Sequence, residues 1–185
     1  GVVWSAPGTY TVSLTTCVTG DTCCSTTSHT VIVYPMPSVT ASATNAGCFG
    51  GCNGTVSATA SGGAPFYTYN WSILGPGQNK TGVCAGTYTV SVTDANSCLT
   101  TAAVNVLQPN PIDLFAIPLD ASCTGVCDGQ LFAAVTGGTG PFTYTWNNGL
   151  GVGQGILNVC PGTYTVTVVD SNGCIQHNNF NNTTT

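Results

Sequence analysis

The chain has 185 residues and little charge: one Lys, no Arg, six Asp and no Glu, giving a net charge of −5. Lys80 alone cannot displace counterions from a run of phosphates, which excludes nucleic-acid partners and attachment to an anionic membrane surface. No stretch nears the ~20 apolar residues of a spanning helix, so membrane insertion is not expected, and a hydrophobic share of 42% opposes disorder.

The first elements are "TYTVSLT" (9–15) and "HTVIVYP" (29–35), which read as a hairpin. Cys17, Cys23 and Cys24 lie between them. A Cys17–Cys23 or a Cys17–Cys24 bridge would close the hairpin and leave one thiol for a partner elsewhere. "YPMPS" (34–38) follows as a Pro-stiffened join. Next comes "CFGGCNGTVSATASGGAPFYTYNW" (48–71), in which Tyr67, Tyr69 and Trp71 share one face of a strand. "GTYTVSV" (86–92) sets Tyr88, Val90 and Val92 against Thr87, Thr89 and Ser91. A second join, "LQPNP", covers 107–111. Then the chain repeats itself. "CTGVCDGQLFAAVTGGTGPFTYTW" (123–146) aligns Phe142, Tyr144 and Trp146 with the earlier aromatics, and "GTYTVTVVDSNGC" (162–174) closes the copy.

The period is 75 to 76 residues: Cys48 falls on Cys123, Cys52 on Cys127, Cys84 on Cys160 and Cys98 on Cys174. "PGTYTVSLTTC" (7–17) matches only the last third of a unit, so residue 1 is expected to fall inside a domain. The expected divisions are 1–36, 37–110 and 111–185. Side chains alternate with period two, and turn residues separate the strands at intervals of about 8–12 residues. The fold class is therefore all-β: tandem immunoglobulin-like β-sandwich modules, disulfide-stabilised. Tyr10, Tyr88 and Tyr164 stand where such sandwiches tie a tyrosine hydroxyl back to the backbone; the alternative is that they are ordinary core aromatics. The "TGG" and "SGG" pairs and the acidic turns "DANS" and "DSNG" supply turn chemistry.

Eleven cysteines form bridges in an oxidising space and bind metal in a reducing one. Four per repeat allow three pairings. A small sandwich buries a modest core, which bridges supplement by roughly 4 kcal/mol each at most. Zinc is disfavoured because a whole strand, about 25 Å long, separates Cys84 from Cys98. No cofactor is expected.

Little in the sequence suggests catalysis. His29 and His177 have no motif that places an acid and a nucleophile beside them. Asp94 and Asp170 suit turns, with one carboxylate each where calcium takes six to eight oxygens. Asn53 and Asp128 follow the second cysteine of each unit and suit turn service. Asn53, Asn70, Asn79, Asn181 and Asn182 begin N-x-S/T triplets, which accept glycans only in a glycosylating secretory pathway.

"CNGTVSATASGG", "PFYTYNW", "CAGTYTVSVTDANSC" and "QP" together resemble the SprB-type repeats of surface adhesins from gliding Bacteroidota. The resemblance covers nearly all of 38–185, and residues 1–36 resemble the end of a polycystic-kidney-disease-type domain. It implies the pairing Cys48–Cys98 with Cys52–Cys84, and Cys123–Cys174 with Cys127–Cys160. It also implies an extracellular or cell-surface protein whose partners are neighbouring modules of one long chain. The function expected is a section of an adhesin stalk or surface fibre, not an enzyme. Two other readings stand beside it. The loops 70–82 and 146–157 would bind a surface glycan or protein, or other copies would join a filament by donating strands to the open edges of the first domain. An accessory module of a larger enzyme is a third possibility.

Overall fold

Thr, Val and Tyr favour extended backbone, and alternation buries one face of each strand. In β8 (Gly86–Thr93) the inward residues are Tyr88, Val90 and Val92; in β14 (Gly162–Val169) they are Tyr164, Val166 and Val168. A computed structural model describes residues 3–20, 23–147 and 149–184. The described residues form strands and no helix.

The chain opens with β1 (Gly8–Cys17) and β2 (Cys24–Val33), paired antiparallel from Gly8 opposite Val33 to Cys17 opposite Cys24. The first repeat contains β3 (Ser38–Thr44), β4 (Gly54–Ser61), β5 (Thr68–Trp71), β6 (Gly75–Pro76), β7 (Asn79–Val83), β8 and β9 (Leu99–Val106). Its sheets run β3-β4-β7 and β6-β5-β8-β9. The second repeat contains β10 (Asp113–Leu119), β11 (Gly129–Thr136), β12 (Thr143–Trp146), β13 (Gly155–Val159), β14 and β15 (Ile175–Asn182). Its sheets run β10-β11-β13 and β12-β14-β15, the same order without the short β6. A single bridge from Thr145 to Val152 stands in its place.

By compactness the chain separates into two units. One holds Gly1–Ser42, Val56–Lys80 and Thr87–Val104; the other holds Ala43–Thr55, Thr81–Gly86 and Asn105–Thr185. In the second unit one apolar cluster joins the facing sheets: Leu114, Leu131, Ala133, Ile156 and Val159 from one, Trp146, Tyr164, Val166 and Val168 from the other. Phe142 and Tyr144 pack against it, half-buried. In the first unit Trp71, Val56, Ala58, Tyr88, Val90 and Val92 are buried, while Tyr67 and Tyr69 are half-buried. The two tryptophans differ. Trp146 Nε1–H donates to the Gly153 carbonyl at 3.0 Å, whereas the buried Trp71 Nε1–H meets no acceptor among the described residues.

The tyrosine hydroxyls turn back on the chain. Tyr164 donates to the Cys160 carbonyl at 2.7 Å, and Tyr10 donates to the Ala6 carbonyl at 2.8 Å. Tyr88 is buried at the matching position. Glycine is required where β4 begins: a Cβ on Gly54 would stand 2.8 Å from Val106 Cγ1 and 2.9 Å from the Thr44 and Val83 carbonyl oxygens.

With so few charges, hydroxyl pairs finish the exposed sheet faces. Ser38 meets Ser61 at 2.8 Å, Ser42 meets Ser57 at 2.7 Å, and Thr44 meets Thr55 at 2.8 Å. In the hairpin Ser13 meets Ser28 and Thr15 meets Thr26, both at 2.8 Å. Such cross-strand pairs contribute roughly 0.2–1 kcal/mol each and keep the surface polar.

Truncating Trp146 to Ala is expected to lower the unfolding free energy by about 3–5 kcal/mol in a urea titration, since it empties a fully packed site. The exposed neighbour substitution Thr145→Ala is expected to stay within about 0.5 kcal/mol.

Candidate functional site

The chemistry of this chain gathers at the ends of the sandwiches, where turns follow the strands. After β14 the Asp170 carboxylate folds the turn: Oδ1 accepts from the backbone N–H of Asn172 and of Cys174, both at 2.9 Å, and Oδ2 accepts from Thr139 at 3.0 Å. After β8 Asp94 repeats this, accepting from Asn96 at 2.9 Å, Cys98 at 2.8 Å and Ala64 at 2.9 Å. Burial alone pushes both carboxyls up, but the three backbone N–H groups outweigh it and hold both below the ordinary carboxylate range. These acids organise turns, and each already commits both oxygens to the backbone.

At the other end of each sandwich a tight loop precedes β4 and β11. Asn53 Oδ1 accepts from Gly47 N–H at 2.8 Å, and Gly51 N–H donates to the Cys48 carbonyl at 3.0 Å. In the second copy Asp128 Oδ1 accepts from Ser122 at 2.9 Å, and Val126 N–H donates to the Cys123 carbonyl at 3.1 Å.

Four bridges join the cysteines among the described residues. Cys17 bonds Cys24, Cys52 bonds Cys84, and Cys127 bonds Cys160. The fourth corrects the expected pairing: Cys48 bonds Cys174 across 126 residues, with Cα atoms 5.6 Å apart. Cys98, Cys123 and Cys23 carry free thiols. The second repeat gives the physical reason. Cys123 sits in the loop beside the Cys127–Cys160 bridge, where β14 begins. Cys174 follows the far end of β14, eight residues on, a span of roughly 26 Å. One bond cannot close that distance, so Cys123–Cys174 is excluded, and Cys48 takes Cys174 instead.

Asn172 seals this joint, and sequence reasoning missed it. Its Nδ2 donates to the Gly47 carbonyl at 2.9 Å and lies 3.2 Å from Thr139 Oγ1. The signal was present: Asn96 and Asn172 are the same residue two positions after the same aspartate. Beside the bridge lies a half-open cleft of about 340 Å³, lined by Phe49, Pro109, Ile112, Asp170 and Gln176 among others. His29, on β2 opposite Val12, and His177, on β15 opposite Thr167, are exposed and lie on different sheets. No group of three His, Cys, Asp or Glu side chains that could hold a metal ion occurs among the described residues.

A second feature distinguishes the repeats. The outer face of β10-β11-β13 exposes Phe115, Ile117, Leu119, Phe132 and Leu157, where β3-β4-β7 presents its hydroxyl pairs. In the loops, Ile73 in the first repeat and Leu150 and Val152 in the second are exposed.

The SprB repeat family model matches residues 40–74 and 116–151, one stretch in each of the two repeats. No curated protein matches. Among solved structures, the three N-terminal domains of the outer capsid protein Hoc of bacteriophage RB49 are similar at 20% identity, with a TM-score of 0.45 over 80% of this chain. This chain spans 59% of the length of that one. The two-domain DIP-gamma IG1+IG2 structure is similar at 11% identity and TM-score 0.39, covering 81% of this chain and 98% of that one. The eight N-terminal Ig domains of the Down syndrome cell adhesion molecule are similar at 14% identity and TM-score 0.40, covering 97% of this chain and 28% of that one. The fold is all-β, with disulfides suited to an oxidising space.

The two turn aspartates contribute to stability against acid. A carboxyl whose folded pKa is depressed stabilises the fold fully above its unfolded value of about 3.9, and that contribution disappears as pH falls through the folded value. The double substitution Asp94→Asn/Asp170→Asn is therefore expected to lower the melting temperature at pH 7. It should also shrink the loss between pH 4 and pH 2 (Asp120 and Asp128, also depressed, keep part of it), as measured by calorimetry across that range.

Proposed function

We propose that the chain is a load-bearing section of a long extracellular adhesin stalk or surface fibre, divided 1–36, 37–110 and 111–185, and that it performs no catalysis. The observation that carries this is the Cys48–Cys174 bridge. It ties the start of one repeat to the end of the next, so tension applied at the termini bypasses everything between the two sulfurs. The remaining bridges, Cys52–Cys84 and Cys127–Cys160, nest inside that shortcut. Scarcity of Lys leaves one site for trypsin-like proteases, which suits exposure outside a cell.

A second reading, binding of a surface glycan or protein, is favoured by the apolar outer face of β10-β11-β13 and by the exposed loop residues of 146–157. An exposed apolar patch commonly marks an interaction surface. Glycan-array binding that vanishes when 146–157 is replaced by 70–82 would support it over a pure spacer.

Single-molecule stretching tests the stalk reading. Reduction should release the 126-residue segment held by Cys48–Cys174, lengthening the fully unfolded chain by roughly 440 Å at about 3.5 Å per residue. A contour length that reduction leaves unchanged would remove the load-bearing role.

A further inference from the structure

The two repeats build the same three-stranded sheet and finish its outer face in opposite ways. Along the 75-to-76-residue period, Thr40, Ser42 and Thr44 of β3 fall on Phe115, Ile117 and Leu119 of β10. Ser57 of β4 falls on Phe132 of β11, and Thr81 of β7 falls on Leu157 of β13. Five hydroxyl side chains in one repeat are therefore five large apolar side chains in the other. The register is kept: Ile117 opposite Phe132 replaces the Ser42–Ser57 hydroxyl pair, and Leu119 opposite Gln130 replaces the Thr44–Thr55 pair. The first repeat shows that this sheet forms with hydroxyls at these places, so the core does not require apolar residues there. All five are exposed, from 42% for Phe115 to 66% for Leu157. A contiguous apolar patch that folding does not need marks a surface that is covered in use.

The five residues form one patch. Ile117, Phe132 and Gly155 lie in one row across the three strands, and Leu119, Gln130 and Leu157 lie in the next. Phe115, opposite Ala134, extends the patch along β10. Gly155 has no side chain, and the Phe132 ring leans over it: a Cβ there would stand 3.2 Å from Phe132 Cδ2. Beside the Ile117–Leu119 ridge lies a groove of about 300 Å³. Gln130 is the single polar residue that lines it, and no charged residue does. Asp113, the carboxylate of β10, stands at the far end of the strand from Leu119.

These features select the occupant. A sugar brings several hydroxyls that lose water on burial, and one amide cannot satisfy them. An unlike protein chosen by charge complementarity finds no charge here to pair with. A second copy meets both conditions, because two chains of net charge −5 can approach through the face that carries none. A two-fold axis would set the ridge of each copy into the groove of the other, the self-complementary arrangement of an isologous dimer. Two sheets then pack face to face about 10 Å apart. The exposed fractions leave roughly 500 Å² of apolar surface on one face. Two faces together bury about 1,000 Å², the lower limit for a specific interface, so the association is reversible.

We propose that the outer face of β10-β11-β13 is a homotypic contact surface, on which a second copy of this chain seats its own β10-β11-β13 face. The proposal rests on the reading of that face as a binding surface and names its partner; it holds whether or not the chain bears load.

Sedimentation equilibrium of the full chain tests it. Free thiols are alkylated and the bridges left oxidised, so that no dimer is covalent through Cys23, Cys98 or Cys123. The parent is compared with a five-fold variant that copies the first repeat: Phe115→Thr, Ile117→Ser, Leu119→Thr, Phe132→Ser and Leu157→Thr. A single variant, Ile117→Lys, serves beside it should the five-fold one fail to fold, and circular dichroism melting checks both. The parent mass should rise from one chain towards two across about 10 μM to 1 mM, and each folded variant should stay at one chain throughout. A parent that stays at one chain, or a dimer that persists in a folded variant, would overturn the homotypic contact. If that one-chain parent still binds a glycan array and the five-fold variant does not, the face remains a binding surface with a sugar on it. If neither binds, the binding-surface reading falls as well.

Discussion

An extended strand of eight residues holds its ends roughly 26 Å apart, and that span organises this molecule. β14 separates the Cys127–Cys160 end of the second sandwich from the Asp170–Cys174 end. A sandwich of this kind is polar in the mechanical sense: one end carries the loop thiol, the other the turn thiol. A disulfide that reaches between them inside one module is ruled out, so the only way to bond them is from one repeat to the next. The Cys48–Cys174 bridge, the Asn172 contact and the two free thiols all descend from this one length.

The strands, the duplication and the inward aromatic faces were legible because period-two alternation leaves its record directly in residue order. Alternation places the apolar residues of "PFTYTW" and "GTYTVTV" on one face each, and Trp146, Tyr164, Val166 and Val168 all lie in one core cluster. The disulfide partners of Cys48 and Cys174 were not legible. Their pairing depends on which ends of which modules meet, a three-dimensional fact that spacing along the chain does not encode. Yet the same strand-length reasoning that set zinc aside also bears against a bridge from the loop to the far turn; its force is visible only once Cys123 is seen beside the Cys127–Cys160 bond. Asn172 was hidden for another reason. Asn in an acidic turn is explained by turn formation alone, and nothing local announces that its amide also donates to the Gly47 carbonyl.

Solubility here rests on hydroxyls and amides. Ser and Thr pairs line the β1-β2 hairpin and the β3-β4 ladder, and on β14-β15 Thr163 and Thr165 bond Asn181 and Asn179. Neutral cross-strand pairs are insensitive to salt and to pH, unlike surface ion pairs. Four of the six aspartates are structural: Asp94, Asp120, Asp128 and Asp170 each accept backbone N–H groups, which is why their carboxyls lie low. Where the hydroxyl covering stops, on the outer face of β10-β11-β13, the surface turns apolar. The two repeats thus share a core and a joint while differing in what they show to solvent.

The most direct test is disulfide mapping of the intact, non-reduced chain. Free thiols are alkylated first, and digestion at Asp and at aromatic residues replaces trypsin, which has a single Lys to cut. A peptide pair joining Cys48 to Cys174, with alkylated Cys98 and Cys123, is the result this account predicts. A pair joining Cys48 to Cys98, or Cys123 to Cys174, would contradict the strand-length constraint on which the rest is built.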